Sequence, residues 1–342
     1  MRAVRFHRHG PPDVLRVEEV PDPSPGPGEI LLEVKASSLN HLDLFVRRGM
    51  PGLTIPLPRI PGSDAAGIVR ALGPGATVLR TGQRVCLNPG ISCGHCEFCA
   101  DGEGSLCTGY TLLGEHRDGT QAELVCVPER NAVVLPDAMS FETAAAAPLV
   151  YLTAWRMLVT KARLQPGMTV LILGAGAGVG VACVQIAKRC GALVYATASS
   201  PQKRQRLSGI GADEVFDPAE AEFDRQIRRR TGRRGVDVVI DYIGRDTWGA
   251  SLRSLRRGGT LVTCGATTGY DPVEDLRQIF YRQLTVHGST MGSGREFLDV
   301  WRCLRDGLFA PVIDAVLPFD QVAEAHRRME GRGVFGKIVL TT

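Results

Sequence analysis

The strand-like run TVLIL (169–173) leads directly into Gly174-Ala175-Gly176-Ala177-Gly178-Val179-Gly180, and a helical pattern, GVGVACVQIAKRCG (178–191), begins inside that turn. A buried strand, a turn of very small residues and a helix in immediate succession leave few folds open. Small residues let the backbone come close to a ligand. The start of the helix offers unpaired amides and the positive end of its dipole, which suit a pyrophosphate. Such a turn alone is a weak signal, and a purely structural turn is the alternative. Here the flanking pattern agrees with the fingerprint. Strands are expected at ALVYATA (192–198), DEVFD (213–217), VDVVIDYIG (236–244) and TLVTCGA (260–266). Helices are expected at 200–211, 221–232 and 247–259. Apolar strands alternating with helices predict a parallel, doubly wound sheet.

The residues before this region read differently. VRF (4–6), VLRVEEV (14–20), EILLEVKAS (29–37), AAGIVRAL (65–72), QRVCLNP (83–89) and AELVCVP (122–128) are short strands between Pro/Gly turns. They predict a β-rich unit up to about residue 135. One helix is expected over Ser140–Lys161 with Ser140 as its N-cap. Further helices near 295–306 and 320–330 and a last strand, KIVLTT, close the chain. The expected division is 1–150 with 290–342 as one domain and 151–289 as the other, an α/β chain overall.

Composition excludes several classes. With 342 residues, 44% hydrophobic and 22% charged, the chain is not disordered. A net charge of +4 is too balanced to argue for nucleic acid. The longest nearly uncharged apolar run, Ala144 to Trp155, is short of the ~20 residues a membrane helix needs. MRAVRFHRHG lacks the apolar core of a secretory leader, so a cytoplasmic protein without membrane partners is expected. Only five of the 40 basic residues are lysine and the other 35 are arginine.

The segment after the second strand of the repeat reads YATASSPQKR (195–204). A site selective for NAD places a carboxylate there against the ribose 2′-hydroxyl. Here Ser199, Ser200, Lys203 and Arg204 stand instead, two cations and two hydroxyls that suit a 2′-phosphate and predict NADP(H). The alternative is a solvated basic helix start.

Ten cysteines divide into six scattered and four clustered, Cys93, Cys96, Cys99 and Cys107, spaced C-x2-C-x2-C-x7-C. Four thiolates so close can enclose one tetrahedral Zn²⁺, and a closed four-ligand site is structural. An iron–sulfur cluster is the competitor. His95 lies inside the cluster and reads as a surface residue.

Together these parts resemble the medium-chain dehydrogenase/reductase superfamily, whose members pair a GroES-like domain with a Rossmann domain. The markers are AGIV (66–69), TGQRV (81–85), the cysteine lobe, GTQAEL (119–124), AAPLVYLTAW (146–155), LGAGAGVG (173–180) and GKIVL (336–340). Relatives with a catalytic zinc take its ligands from the segment matching SSLNHLD (37–43), from a G-H-E motif, and from a position near the start of the nucleotide domain. Here those read Asn40, Gly62-Ser63-Asp64 and Leu149. The same segments resemble the zinc-free quinone oxidoreductase branch. Its N-x-x-D-x-x-x-R-x-G pattern matches Asn40, Asp43, Arg47 and Gly49. Its A-x-x-G-x-G turn matches Ala175, Gly178 and Gly180, and its phosphate-binding lysine matches Lys203. The chain departs from many of that branch in keeping the cysteine lobe.

The resemblance implies an NADPH-dependent reductase of quinones or α,β-unsaturated carbonyls, with one structural Zn²⁺ and no catalytic metal. An alcohol dehydrogenase with an atypical site at Asp64 and His41 is the alternative. It implies catalytic roles for Asn40, Asp43, Arg47 and Tyr151. It places Thr153, Ala175, Gly176, Gly178, Val179, Gly180, Ser199, Lys203, Arg204, Cys264, Gly265, Ala266, Gly288, Ser289 and Lys337 at the cofactor. The partner is a small-molecule acceptor, and the assembly a homodimer or homotetramer with LTVHGSTM (284–291) as the candidate edge strand. Each role has a plainer reading. Asn40 fixes a turn, Asp43 and Arg47 form a helix-surface pair, and Tyr151 is a core residue. His116 is either a loop residue or a proton donor.

Overall fold

The computed structural model describes residues 1–219 and 223–342. The chain forms two compact units, Met1–Leu149 with Ser293–Thr342, and Val150–Gly292.

In the first unit a seven-stranded sheet is built around the long strand Glu29–Ser38. Residues of this strand alternate between half-buried and buried positions, as the two-residue period of a strand with one covered face requires. Its neighbours are Asp64–Leu72, Leu124–Pro128 and the last strand, Lys337–Thr341, all antiparallel to it. Ser38 lies across from Asp64 on one side and from Val339 on the other. This register, set more than 270 residues apart in sequence, brings the ends of three strands to one point.

In the second unit six strands are all parallel, in the order Glu214–Phe216, Leu193–Thr197, Thr169–Ile172, Val236–Ile240, Leu255–Thr263, Thr285–Gly288. In sequence terms this is the 3-2-1-4-5-6 order of a dinucleotide fold. All four residues of Thr169–Ile172 and all five of Val236–Ile240 are buried, as helices on both faces of a parallel sheet demand. Because the strands run one way, the loops at their C-terminal ends share one edge of the sheet.

Several elements differ from expectation. The helix over Ser140–Lys161 is three pieces: Phe141–Ala145, Pro148–Trp155 and a wider π-type stretch, Arg156–Lys161. Pro148 has no amide to continue the first piece and starts the second. The helix expected over 247–259 stops at Ser254, and residues 255–263 are strand. Gly258-Gly259 disfavours helix, and a large bulge moves the register from Val236↔Leu255 to Val238↔Thr260. Helix Leu276–Arg282 and strand Ile313–Pro318 carry no clear period and were not expected. The first residues of the helix expected at 221–232 lie outside the described residues; the helix is seen over Phe223–Arg230. No described helix is long and apolar enough to cross a membrane.

Asp237, buried in the middle of this sheet, accepts the Thr169 amide at 2.9 Å and pairs with Arg234 at 2.7 Å and Arg256 at 2.5 Å. Burial alone would raise its carboxyl, but Arg234, the Thr169 amide and Arg256 outweigh it and hold it down at about 2, against 3.8 in the unfolded chain. Its folded value is depressed, so its contribution is full above pH ~4 and is lost as pH falls toward 2. Urea unfolding should show Asp237→Asn clearly less stable than the parent at pH 7, with the gap shrinking as pH falls below 4. A pH-independent gap would contradict this ionic role.

Candidate functional site

The glycine turn is fixed by its neighbours. The Gly174 amide donates to Thr197 Oγ1 at 3.0 Å, the Ala175 amide to the Thr197 carbonyl at 2.9 Å, and the Tyr242 hydroxyl to the Gly174 carbonyl at 3.0 Å. Helix Gly178–Arg189 then begins with Ala177 as N-cap, whose carbonyl accepts from Val181. The amides of Gly178, Val179 and Gly180 belong to the first turn, which has no intrahelical acceptors. Gly176 is buried and Gly178 and Val179 are half-buried. A Cβ on Gly180 would lie 2.5 Å from Ala175 Cα and 2.6 Å from the Tyr242 hydroxyl. Only glycine lets the helix pack this close to the turn. These features form a cradle that fits a pyrophosphate.

On the same sheet edge, the loop after Leu193–Thr197 places Ser199 exposed and Ser200 as N-cap of helix Pro201–Gly209, its Oγ accepting the Lys203 amide at 3.2 Å. Arg204 donates to the Ala198 carbonyl at 3.2 Å and pairs with Asp217 at 2.6 Å. The arginine is therefore tied across the loop, which corrects its expected role as a phosphate ligand; Ser199 is exposed and Lys203 half-buried at the same helix start. Cys264, Gly265 and Ala266 follow strand Leu255–Thr263, and Gly288 and Ser289 end the next strand. The Ser289 amide donates to the Thr263 carbonyl at 2.8 Å, while its buried hydroxyl has no protein partner. An orphaned buried hydroxyl beside these loops fits a ligand amide. Burial, then the charge of Asp241, pushes the Cys264 thiol up to about 12, so it is not a nucleophile at neutral pH. Thr153 Oγ1 lies 3.7 Å from Met291 Sδ. Tyr151 is 1% exposed and donates its hydroxyl to Gln185 at 2.9 Å. That hydrogen bond corrects the expectation of a free donor: Tyr151 is a core residue here.

In the first unit two of the positions that resemble catalytic-metal ligands, Asn40 and Leu149, meet the carboxylate of Asp64, while Ser63 Oγ donates to the Leu113 carbonyl at 2.9 Å. Asp64 Oδ2 accepts from Ser38 Oγ at 3.1 Å, Asn40 Nδ2 at 2.9 Å and Lys337 Nζ at 3.2 Å. Its Oδ1 accepts the Leu149 amide at 2.9 Å. Lys337 also donates to Asn40 Oδ1 at 2.5 Å. Asp64 is wholly buried and Lys337 is 3% exposed. Burial lowers the Lys337 pKa, and the charge and hydrogen bond of Asp64 oppose that shift. His41 is exposed, unlike Asp64. Among the described residues the cysteine cluster is the one group of three or more potential metal ligands within reach of each other.

Asp43 and Arg47 both lie on helix His41–Arg48, but each takes other partners. Asp43 accepts the Asn40 amide at 2.7 Å and the Gly62 amide at 3.0 Å. Gly62 has φ +100°, and a Cβ there would strike Gln121 and Thr120 at 2.8 Å. Burial pushes the Asp43 carboxyl up to about 6, against the pull of those two amides and of Lys337. Arg47 is fully buried, bonded to the Gly10 carbonyl at 3.0 Å, to His326 Nδ1 at 3.0 Å and to Glu330. Burial and then Arg47 hold His326 neutral, near 3, so its Nδ1 accepts. Both readings of Arg47, helix-surface pair and acceptor ligand, are thus corrected: it ties helix Val322–Glu330 to the N-terminal loop. His116 Nδ1 accepts the Leu112 amide within its own turn.

The four lobe thiols lie within 4.8 Å of one another, with Cys96–Cys99 at 3.5 Å and Cys93–Cys99 at 3.9 Å. A tetrahedron of thiolates at ~2.3 Å from a metal has edges of about 3.8 Å, so the cage matches zinc. Amides of His95 and then Cys96 lower the Cys93 thiol to about 6, while, against the pull of the Cys93 amide, burial and the Cys93 thiol push Cys107 up to about 11. His95 turns away, its Nδ1 3.1 Å from the Cys93 carbonyl.

A glycine cradle on a 3-2-1-4-5-6 sheet, joined in one chain to a seven-stranded sheet with a four-cysteine lobe, defines a medium-chain dehydrogenase/reductase. The sequence matches the families described as "Alcohol dehydrogenase GroES-like domain" over residues 26–137 and "Zinc-binding dehydrogenase" over residues 178–306. It is 30% identical to the quinone oxidoreductase of Homo sapiens over 350 residues, covering 99% of this chain and 97% of that protein. A solved NAD-dependent alcohol dehydrogenase is 44% identical, with TM-score 0.96 and full coverage of both chains. A crotonyl-CoA carboxylase/reductase in complex with NADP is 26% identical, with TM-score 0.92, covering 100% of this chain and 94% of that one. The chain belongs to the medium-chain dehydrogenase/reductase superfamily and is an oxidoreductase of that group.

Sequence reasoning missed Ser38, Thr197 and Tyr242. The spacing Asn40-x-x-Asp43 was the available signal for the helix start; no local signal marks Tyr242.

Two outcomes follow from these contacts. Gly180→Ala should cost about 1–3 kcal/mol by overpacking and weaken dinucleotide binding, read by thermal unfolding and fluorescence titration. Lys337→Met leaves a buried charge unpaired and should cost about 3–5 kcal/mol. Adding Asp64→Asn should recover much of that loss in a double-mutant cycle, and strict additivity would contradict the pairing.

Proposed function

We propose that the chain is an NADPH-dependent reductase that delivers hydride to an activated acceptor, a quinone or an α,β-unsaturated carbonyl, with one structural zinc on Cys93, Cys96, Cys99 and Cys107. The observation that carries this reading is the carboxylate of Asp64, saturated by Ser38, Asn40, Leu149 and the ammonium of Lys337. An alcohol dehydrogenase zinc needs three side-chain ligands around an open position. Here Asp64 is engaged by four donors and already balanced by a cation, the Asp43 carboxyl is taken by the Asn40 and Gly62 amides, and Asn40, Ser63 and Leu149 are poor ligands.

Without a Lewis acid, a developing alkoxide on an isolated ketone goes unstabilised. In a quinone or enone the charge spreads to a remote oxygen, which a few hydrogen-bond donors can hold. The nicotinamide, when bound, supplies the hydride. The chain's own residues bind and orient. Amides of Gly178–Gly180 hold the pyrophosphate, Ser199 and Lys203 the 2′-phosphate, and backbone at Cys264–Ala266 with Gly288 and Ser289 the carboxamide. Asn40 is a positioning residue: its amide joins Lys337 to Asp64 and keeps both charges fixed. Asp43 holds the Asn40 and Gly62 backbones.

One observation favours a second reading. The 44%-identical structure named an NAD-dependent alcohol dehydrogenase matches the full chain, which points to alcohol oxidation with NAD. We also infer a homo-oligomer joined along the edge strand Thr285–Gly288, where Val286 is exposed and the adjacent helix exposes Leu276, Phe280 and Tyr281. None of the ten cysteines forms a disulfide, which fits a reducing cytoplasm.

A panel of quinones, enones and primary alcohols, run with both cofactors beside a metal count, tests the assignment. Activity on quinones or enones with one zinc per chain is the expected result. Alcohol oxidation that fails on removing a second metal would replace it with the alternative. Lys203→Ala should raise KM for NADPH at least roughly tenfold, the size of one charge-assisted contact, and leave KM for NADH nearly unchanged. Equal effects would remove Lys203 from the phosphate site.

A further inference from the structure

Seven arginines line a pocket of about 660 Å³ in the second unit. It lies at the N-terminal ends of strands Val236–Ile240 and Leu255–Thr263, the sheet edge opposite the glycine turn. Arg228 comes from the last turn of helix Phe223–Arg230, and Arg233 and Arg234 from the turn that follows. Arg256 and Arg257 come from the bulge that carries the register from Leu255 to Thr260. The bulge thus re-aims two side chains out of the ladder.

The carboxylates present do not match this charge. Asp237 takes Arg234 and Arg256, and Asp224 takes Arg253 at 2.7 Å. Arg228, Arg233, Arg257 and Arg282 have no carboxylate partner among the described residues. Three of these four donate only to main-chain carbonyls: Arg257 to Tyr281 at 2.9 Å, Arg282 to Leu252 at 2.9 Å and to Leu255, Arg228 to Arg253 at 3.5 Å. Helix C-termini do attract cations, and that accounts for each of these three alone. It does not account for Arg233, exposed on a left-handed residue with φ 69°, or for all four opening on one concavity. The Arg282 pKa is lowered by burial and then by Arg228 and Arg257, so these cations feel one another.

We propose that this pocket binds an oligophosphate anion, two or three adjacent phosphoryl groups held between Arg228, Arg233, Arg257 and Arg282, at a site separate from the dinucleotide cradle. Guanidinium forks suit phosphoryl oxygens in bidentate pairs. A tripolyphosphate packs several negative charges into a volume this pocket holds, whereas a single sulfate meets one or two forks.

The test is calorimetric titration of the enzyme saturated with NADPH, at physiological salt, with tripolyphosphate, pyrophosphate, ATP, citrate and sulfate. The expected result is one saturable site per chain that binds tripolyphosphate tighter than pyrophosphate, with citrate and sulfate weaker still. Equal binding of ATP and tripolyphosphate assigns the site to the phosphate chain itself; tighter ATP assigns it to a nucleotide's phosphates, and both support the proposal. Arg233→Gln, at an exposed turn position, should weaken tripolyphosphate by roughly tenfold, one charge-assisted contact, with KM for NADPH unchanged. Arg228→Gln with Arg257→Gln should weaken it further if the fold is kept. Absence of saturable binding, displacement of tripolyphosphate by excess NADPH, insensitivity to Arg233→Gln, or tighter binding of an oligonucleotide than of ATP would each overturn it.

Discussion

The buried pairing of Asp64 with Lys337 organises the first unit. Two opposite charges removed from water are stable only when each has further partners. Here Ser38, Asn40 and the Leu149 amide supply them. The contact joins the start of the last strand to the start of a strand more than 270 residues earlier. Asp64 lies in the segment that resembles the metal-ligand positions, and its counter-charge here is an ammonium.

Around that pair the structure divides labour between binding and support. Asp43 braces the Asn40 and Gly62 backbones, and Arg47 braces the helix His41–Arg48 against Val322–Glu330 through a neutral His326. In the second unit the cradle owes its shape to Thr197, Tyr242 and the absence of a Cβ at Gly180. The cysteine lobe is a local construction: four thiols within 15 residues, all within 4.8 Å of one another.

The two ends of the parallel sheet present different chemistry. At the C-terminal ends of its strands lie helix starts, small residues and an orphaned serine hydroxyl, features that fit a dinucleotide. At the N-terminal ends lie helix ends and seven arginines. A chain whose basic residues are almost all arginine carries its surplus charge as forks that do not deprotonate, and the tertiary fold concentrates them at one edge.

What the residues alone determined is local or periodic. The glycine turn, the alternation of apolar strands with helices and the cysteine spacing each act within about thirty residues, so the nucleotide fold and the lobe were legible without coordinates. Elements without a period, such as helix Leu276–Arg282, were not. Residues 255–259 read as helix by local pattern, and pairing beside Val236–Ile240 extends the expected strand back to Leu255 instead. The roles of Arg47, Tyr151 and Arg204 were decided only by tertiary structure. A side chain's hydrogen-bond partner depends on which distant residue the register brings opposite it, and Glu330, Gln185 and Asp217 leave no mark near those positions in the sequence.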